Sequence, residues 1–486
     1  DLGSSQTVDH ITVAPASSWA PGGWGPSYTN GAYVEYSTDN STWTSVGQIS
    51  GAANDTYTDI SLGGVTARYI RLRQASNYMA VGDFNNDDLD DIALAVGATN
   101  KASVLLSNGE GGFTPTNSYI VGTNPSALAV GDWNGDRNLD LAVANSDSNN
   151  VSVLLGDGVG HFAVAKFAVG VSPNALAVGD FDGDRKLDLA VSNRGSNDLS
   201  LLLGDGQGRF AAAKTVTTGT QPTAVAVSDF NTDAKLDLVV TNLVGSSVSV
   251  LLGDGQGSFQ LAANPAAGAA PISVAAGDLN GDRNPDLVIA NSGDNSVSVL
   301  LGNGNGSFAA ARSYSTGTLS TAQPQSIKLL DYDGDQNLDL LVQLGAQPAL
   351  LLGDGTGNFG AAISTGNILA QRLSVTAVGD FNGDRKPDLA IATADVGLGI
   401  SLNGLEPQSP DTAGSQQIPV SSLPSAIATG EFNGDGQLDL VYADVKGVQL
   451  TLGNGRGEFG SPTVVIPPQL PAVTTIVVTD WNMPNM

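Results

Sequence analysis

Short apolar runs separated by clusters of glycine, aspartate and asparagine recur along most of the chain. In one unit, Ala127–Val130 is apolar, an acidic turn follows, and Leu139–Ala144 resumes the run. The segment VSVLLG (151–156) comes next, then a GDGVG turn and a last stretch beginning at about Phe162. Val, Leu and Ala fill these runs while Gly, Asp and Asn punctuate them, which is the signature of strands joined by tight turns. No segment sustains apolar residues at i, i+3 and i+4 over three turns, so helices are not expected. The pattern predicts an all-β protein with four strands per unit.

The unit repeats. AVGDWNGDRNLDLAVAN at 129–145 returns as AVGDFDGDRKLDLAVSN at 177–193, AVSDFNTDAKLDLVVTN at 226–242 and AAGDLNGDRNPDLVIAN at 275–291. The first acidic residues of all the copies are Asp83, Asp132, Asp180, Asp229, Asp278, Asp331, Asp380 and Glu431, 48 to 53 residues apart. A period near 49 with many short strands points to the blades of a β-propeller. We therefore expect about eight four-stranded blades over residues 76–480. The alternative is seven blades plus a displaced repeat, and eight is favoured because an open ring would expose strand edges. VTDWN reopens the phrase at 478–482, so 481–486 reads as the truncated start of a ninth repeat. The strand expected at about 473–480 copies an innermost strand, and either begins that repeat or pairs with a neighbouring molecule.

A second phrase, LLGDGxGxF, closes with Phe162, Phe210, Phe259, Phe308, Phe359 and Phe459. Its glycines suit the positive φ angles of a hairpin, and the phenylalanine is expected between neighbouring blades. A phosphate-cradling loop would have to open a helix, and none follows. The seventh copy departs from the phrase at 399–417 and is expected to extrude a loop there.

The acidic turn has the form D-x-[D/N]-x-D-x-x-x-D. Its members at positions 1, 3, 5 and 9 are Asp83, Asn85, Asp87 and Asp91 in the first copy. They are Asp132, Asn134, Asp136 and Asp140 in the second, and Asp180, Asp182, Asp184 and Asp188 in the third. The fourth has Asp229, Asn231, Asp233 and Asp237, and the fifth Asp278, Asn280, Asp282 and Asp286. Asp331, Asp333, Asp335 and Asp339 form the sixth, and Asp380, Asn382, Asp384 and Asp388 the seventh. The eighth is Glu431, Asn433, Asp435 and Asp439. Alternating oxygen donors on a tightly turned chain converge on one point, and position 7 adds a backbone carbonyl. Such a set of hard oxygens suits calcium, whereas magnesium prefers a smaller, wetter octahedron. An EF-hand would place a glutamate at the twelfth position, where the second copy has Val143. An ordinary Asp-Gly turn needs no acids at 1, 5 and 9. Carboxylates gathered without a counter-ion would repel one another.

Composition agrees. The chain holds 48 acidic and 20 basic residues for a formal charge of −28, yet no long acidic run. Nucleic acid is a poor partner for such a surface. There is no cysteine, which removes thiolate metal chemistry and fits a bacterial exported protein better than a disulfide-bonded animal one. The two histidines, His10 and His161, leave little scope for imidazole catalysis. No apolar stretch is long enough for a membrane helix. The sequence opens on Asp1 without a signal-like segment, and we read it as a piece of a longer product.

On these motifs, residues 78–480 resemble FG-GAP/VCBS repeats, found in integrin α-subunit propellers and many bacterial surface and secreted proteins. The resemblance implies one calcium ion per acidic loop, about eight in all, held between the first two strands of each blade. Glu431 departs from Asp at position 1, and Asn86 and Thr232 replace glycine at position 4. The eighth loop, with Gly436 beside the longer Glu431 arm, is expected among the weaker sites.

Residues 1–75 differ. They hold three of the five tryptophans and no acidic loop. DLGSSQTVDHITV (1–13), YVEYSTDNSTWTSVG (33–47) and VTARYIRLRQ (65–74) resemble the later part of a discoidin-like, coagulation-factor C-type sandwich. Members of that family bind glycans or lipid head groups through loops. Trp19, Trp24 and Tyr28 offer an aromatic platform for a sugar, although packing in the sandwich is the more common fate of such residues.

Three functions compete at this stage. An extracellular adhesive or structural module, with an extracellular protein, a glycan or another copy of itself as partner, accounts for the repeats and the calcium. A carbohydrate-binding lectin would use several similar pockets for avidity. A calcium-dependent polysaccharide-degrading enzyme would need a cleft of His, Lys, Tyr or Arg, and no such constellation stands out. A non-catalytic module is the reading we carry forward.

Overall fold

The structure is a computed structural model. It describes the backbone of 6–13, 32–37, 44–48, 58–67 and 69–74, and then 77–97, 99–110, 112–316, 323–344, 348–364, 375–393, 397–402, 416–420, 424, 426–444, 447–466 and 475–478. The chain divides into two compact units at Ser76/Asn77.

In the first unit, β1 (Gln6–Val13) pairs antiparallel with β4 (Thr58–Ala67), bulged between Val8 and His10. A second sheet has β2 (Ala32–Ser37) at its centre, flanked by β3 (Thr44–Gln48) and β5 (Tyr69–Gln74). Two small antiparallel sheets match the expected sandwich-like segment. Trp19, Trp24 and Tyr28 lie outside the described residues.

The second unit contains eight four-stranded antiparallel sheets in chain order, and among the described residues it contains no helix. The first is β6 (Asn77–Gly82), β7 (Asp91–Val96), β8 (Lys101–Ser107) and β9 (Phe113–Ile120). The second is β10 (Pro125–Gly131), β11 (Asp140–Asn145), β12 (Asn150–Gly156) and β13 (Phe162–Ala168), within a few residues of the strands read from the sequence. The remaining six occupy 173–217, 220–263, 271–315, 324–364, 375–418 and 426–466. In the seventh, Gly397–Ser401 pairs with Gln416–Ile418, so its fourth strand is retained; residues 403–415 lie outside the described set.

Every residue of β11 is buried, because both faces of each blade are covered by neighbours. That is why the second strands read as continuous apolar runs rather than as an alternation. β13, at the outer edge, is mostly exposed or half-exposed after Phe162. Alanines crowd the inner strands (Ala80, Ala129, Ala177), where blades converge and little room remains. The hairpin phenylalanine lies between blades as expected: Phe181 meets Phe259 edge-on at 5.7 Å, Phe230 meets Phe308 at 5.8 Å and Phe381 meets Phe459 at 5.3 Å. Such pairs are worth about 0.5–1.5 kcal/mol beyond the area they bury.

Closure settles the blade number at eight. Met79, Ile92 and Leu94 of the first blade share a core with Ala428, Phe432 and Val441 of the last. The Asp83 and Glu431 loops therefore belong to adjacent blades of one ring. The last strand, Thr475–Val478, adds to β6 in parallel and makes that sheet five-stranded. Its partner lies within the chain, not in a neighbouring molecule, because β6 has a free inner edge.

Candidate metal centre

Each acidic loop joins the first strand of a blade to the second. The first two strands pair down to the loop itself, with Gly131 opposite Asp140, so positions 1 and 9 are brought side by side. The third-to-fourth hairpin turns at the same end, and the loops and hairpins together form one face of the ring.

Within the second loop the position 1 carboxylate is wrapped by amides. Asp132 Oδ1 accepts from Gly135 N at 2.7 Å and Asp136 N at 3.2 Å, and Oδ2 accepts from Arg137 N at 2.9 Å. Asn134 Oδ1 accepts from Asp136 N at 3.0 Å, and Asp136 Oδ1 from Asn138 N at 2.8 Å. This curl needs positive φ at positions 4 and 6: Gly135 has 73° and Arg137 has 71°. The same wrapping recurs at Asp180 and Asp380. Glycine answers the requirement at position 4 in six loops. Asn86 and Thr232 meet it at 59° and 57°, and for a β-branched threonine that conformation is strained.

Position 9 is the buried member. Asp91, Asp140, Asp188, Asp237, Asp286, Asp339, Asp388 and Asp439 are all fully buried. Asp140 Oδ2 accepts from Trp133 N and Oδ1 from Gly156 N, both at 2.8 Å. Burial pushes the Asp140 carboxyl from the ordinary 3.8 up to about 7; the two amides oppose the shift and the Asp132 and Asp136 carboxylates add to it. Asp91 is likewise pushed up to about 7, and Asp188, Asp237 and Asp439 to about 6, again chiefly by burial.

The donors fit a hard cation. Asp180, Asp182 and Asp188 bring carboxylate oxygens within 4.8 Å of one another, as do Asp331, Asp333 and Asp335. These are the two loops with aspartate at position 3, where the other six carry asparagine. An asparagine side chain offers an amide oxygen there, a neutral hard donor of the kind calcium accepts.

The eighth loop is built differently. Glu431 Oε1 accepts from Asn433 N at 3.0 Å and Gly434 N at 2.7 Å, the part played elsewhere by Asp Oδ1. Its Oε2 is buried with no hydrogen-bond partner, whereas the second oxygen of Asp132 or Asp278 takes the position 6 amide. Gly436 itself has φ 75°, which glycine adopts without strain.

Two features were not read from the sequence. The aspartate of the GDG hairpin is a turn former: Asp205 Oδ1 accepts from Gln207 N at 2.8 Å and Arg209 N at 3.1 Å. At the opposite end of the blades, the buried Asn193 donates to Ser200 Oγ at 2.9 Å and Asp198 Oδ1 at 2.7 Å. Asn145, Asn242 and Asn291 repeat the contact with Ser152, Ser249 and Ser298. The recurrence of Asn seven residues before Ser in four blades was the available signal.

Comparison with known proteins places these motifs. None of the curated proteins matches the chain. Among solved structures, an Agrocybe aegerita lectin described as recognising non-reducing terminal N-acetylglucosamine is 16% identical, with 74% of this chain and 94% of the lectin covered at a TM-score of 0.43. AztD from Citrobacter koseri is 13% identical, covering 77% and 94% at 0.47. A protein from Lactobacillus plantarum is 12% identical, covering 81% and 97% at 0.46. The family model for a NedA-like, galactose-binding domain matches residues 1–72. The model for the FG-GAP-like repeat matches five times, at 83–143, 132–191, 180–240, 229–289 and 278–342. Those five matches run unbroken over more than half of the 486 residues, and with the repeated loops they make this chain a member of the FG-GAP-like repeat family.

Proposed function

We propose that the chain is a calcium-loaded interaction module, secreted or on a bacterial cell surface, that binds an extracellular protein or glycan and carries out no catalysis. Each acidic loop takes one calcium ion through positions 1, 3, 5 and 9 and the position 7 carbonyl, eight ions in all. The observation that carries this reading is the convergence of Asp180, Asp182 and Asp188 within 4.8 Å, with the Asp188 carboxyl pushed up to about 6 by burial and by its two neighbours. A bound cation supplies the positive charge that lets these carboxylates coexist. Metal-stripped protein titrated with calcium, followed by native mass spectrometry and thermal melting, tests it. About eight ions and a marked rise in Tm are expected; no uptake, or uptake without a rise, overturns it.

A lectin is the second reading, favoured by the NedA-like, galactose-binding match over residues 1–72. A glycan array with and without chelator separates the possibilities. Binding that survives chelation assigns the sugar site to residues 1–75, binding lost with calcium assigns it to the propeller, and no binding removes the lectin reading.

A further inference from the structure

The ring has one junction that differs in kind from the others. Neighbouring blades elsewhere are consecutive in sequence, so a short connection holds each beside the next. The first and last blades lie at opposite ends of the repeat, each taking its four core strands from one continuous stretch, 77–120 and 426–466, and the chain returns from the last to the first only through Thr475–Val478, which adds to β6. Bringing the two ends of the repeat together costs chain entropy that this strand and the contacts at the junction must offset.

At ordinary junctions the position 2 carbonyl accepts from a hairpin glycine amide of the next blade, as Trp133 O does from Gly208 N at 3.0 Å and Phe181 O from Gly257 N at 3.1 Å, and the glycine that precedes the loop faces an apolar side chain. A Cβ placed on Gly131 would lie 3.1 Å from Leu187 Cδ1 of the next blade; at Gly179 it would lie 2.8 Å from Leu236, and at Gly379 2.8 Å from Leu438. The leucine in each case is position 8 of the following loop. At the closing junction the glycine is Gly430, and position 8 of the first loop is Asp90, not leucine or proline as in the other seven. Asp90 Oδ2 accepts from Glu431 N at 2.9 Å, and Asp90 N donates to Glu431 O at 2.8 Å.

A second exception meets the same segment. The third strand ends in glycine at 156, 204, 253, 302, 353 and 453, where a Cβ would fall 2.1–2.4 Å from the position 8 carbonyl. The first blade has Ser107 there, and its buried hydroxyl donates to Phe432 O at 2.5 Å.

We propose that Asp90 and Ser107 form a side-chain latch that closes the propeller: Asp90 binds the backbone of Glu431 where other junctions set leucine or proline, and Ser107 gives the Phe432 carbonyl a hydroxyl donor where other blades have glycine. Directional bonds suit a junction that must find one partner surface among eight similar ones. The latch does not depend on any cation, since it acts on backbone groups.

Hydrogen exchange of the full chain in constant calcium, read by mass spectrometry, tests this. In D90L, exchange at the segments around residues 90 and 431 is expected to rise on the order of tenfold, the effect of losing one net hydrogen bond. The segments at 173–193 and 271–291 should be unchanged, and D90N, which keeps an accepting oxygen, should stay close to wild type. Should D90L fail to fold, S107G carries the same expectation for the segment around Phe432. Unchanged exchange at the closing junction, or acceleration spread evenly over all junctions, overturns the proposal.

Discussion

Asp140 holds the amide of Gly156 at 2.8 Å across sixteen residues of chain while its second oxygen holds Trp133. One carboxylate thus pins the acidic loop, the second strand and the hairpin of its blade to one another. The arrangement recurs where Asp91 holds Ser107 and Phe84, and where Asp188 holds Gly204 and Phe181. Position 9 is therefore structural in its own right, whatever occupies the loop.

D140N keeps the shape but leaves one accepting oxygen for two amides. We expect a loss of about 1–3 kcal/mol from the unsatisfied buried donor. The loss should persist in excess chelator, which separates the structural role from metal binding. Urea unfolding of wild type and variant, each with calcium and with chelator, reads both. Equal stability in chelator would refute the structural part.

Acid should work against calcium and in favour of the metal-free fold. In the metal-free chain, Asp91 and Asp140 titrate at about 7, above the ordinary 3.8 of an unfolded chain. A raised carboxyl contributes stability that is complete below about pH 4 and is lost as pH rises through about 7. The metal-free protein should therefore weaken between pH 4 and 7. Calcium must displace those protons below pH 7, so its affinity should fall by up to about tenfold per pH unit for each proton displaced. Melting curves in chelator at pH 5 and 7.5, with calcium titrations at both, check the two signs.

The repeats were legible because each blade restates the whole signal: an apolar run, nine residues with acids at fixed places, two more runs and a Gly-rich turn. Burial on both faces erased the alternation that usually identifies a strand, yet glycine and aspartate still marked the ends. Relations between blades were not legible. That Asp90 stands against Glu431 depends on which blades meet, and a period cannot say whether the ring closes at seven or eight. Similarly, VTTIVVTD reads as an innermost strand, but its parallel partner is set by the free edge of β6. The hairpin aspartates and the Asn193–Ser200 contact were hidden by their resemblance to ordinary turn and strand residues.

The eighth loop should bind most weakly, and for a reason sharper than arm length. Glu431 gives up the tie to the position 6 amide that Asp132 and Asp278 make, so this loop is less preorganised. Calcium affinity follows ligand charge and site rigidity. E431D should restore the tie and tighten the last site to titrate by about tenfold, roughly one hydrogen bond's worth. Calorimetric titration of both proteins tests this; an unchanged weakest site would count against it.

Thr232 is the most strained residue of the acidic loops, a β-branched side chain held at φ 57° where six other loops have glycine. Left-handed backbone costs such a residue roughly 1–2 kcal/mol. Its hydroxyl reaches Gly304 O at 3.1 Å on the next blade, an exposed bond that returns only part of that cost. T232G should therefore stabilise the protein by about 0.5–1 kcal/mol, less than the strain relieved because glycine also loosens the unfolded chain. T232A keeps the backbone strain and loses the hydroxyl, so it should lie at or below wild type. Urea midpoints of the three proteins in saturating calcium decide it: T232G at or below wild type would mean that the Thr232–Gly304 bond outweighs the strain.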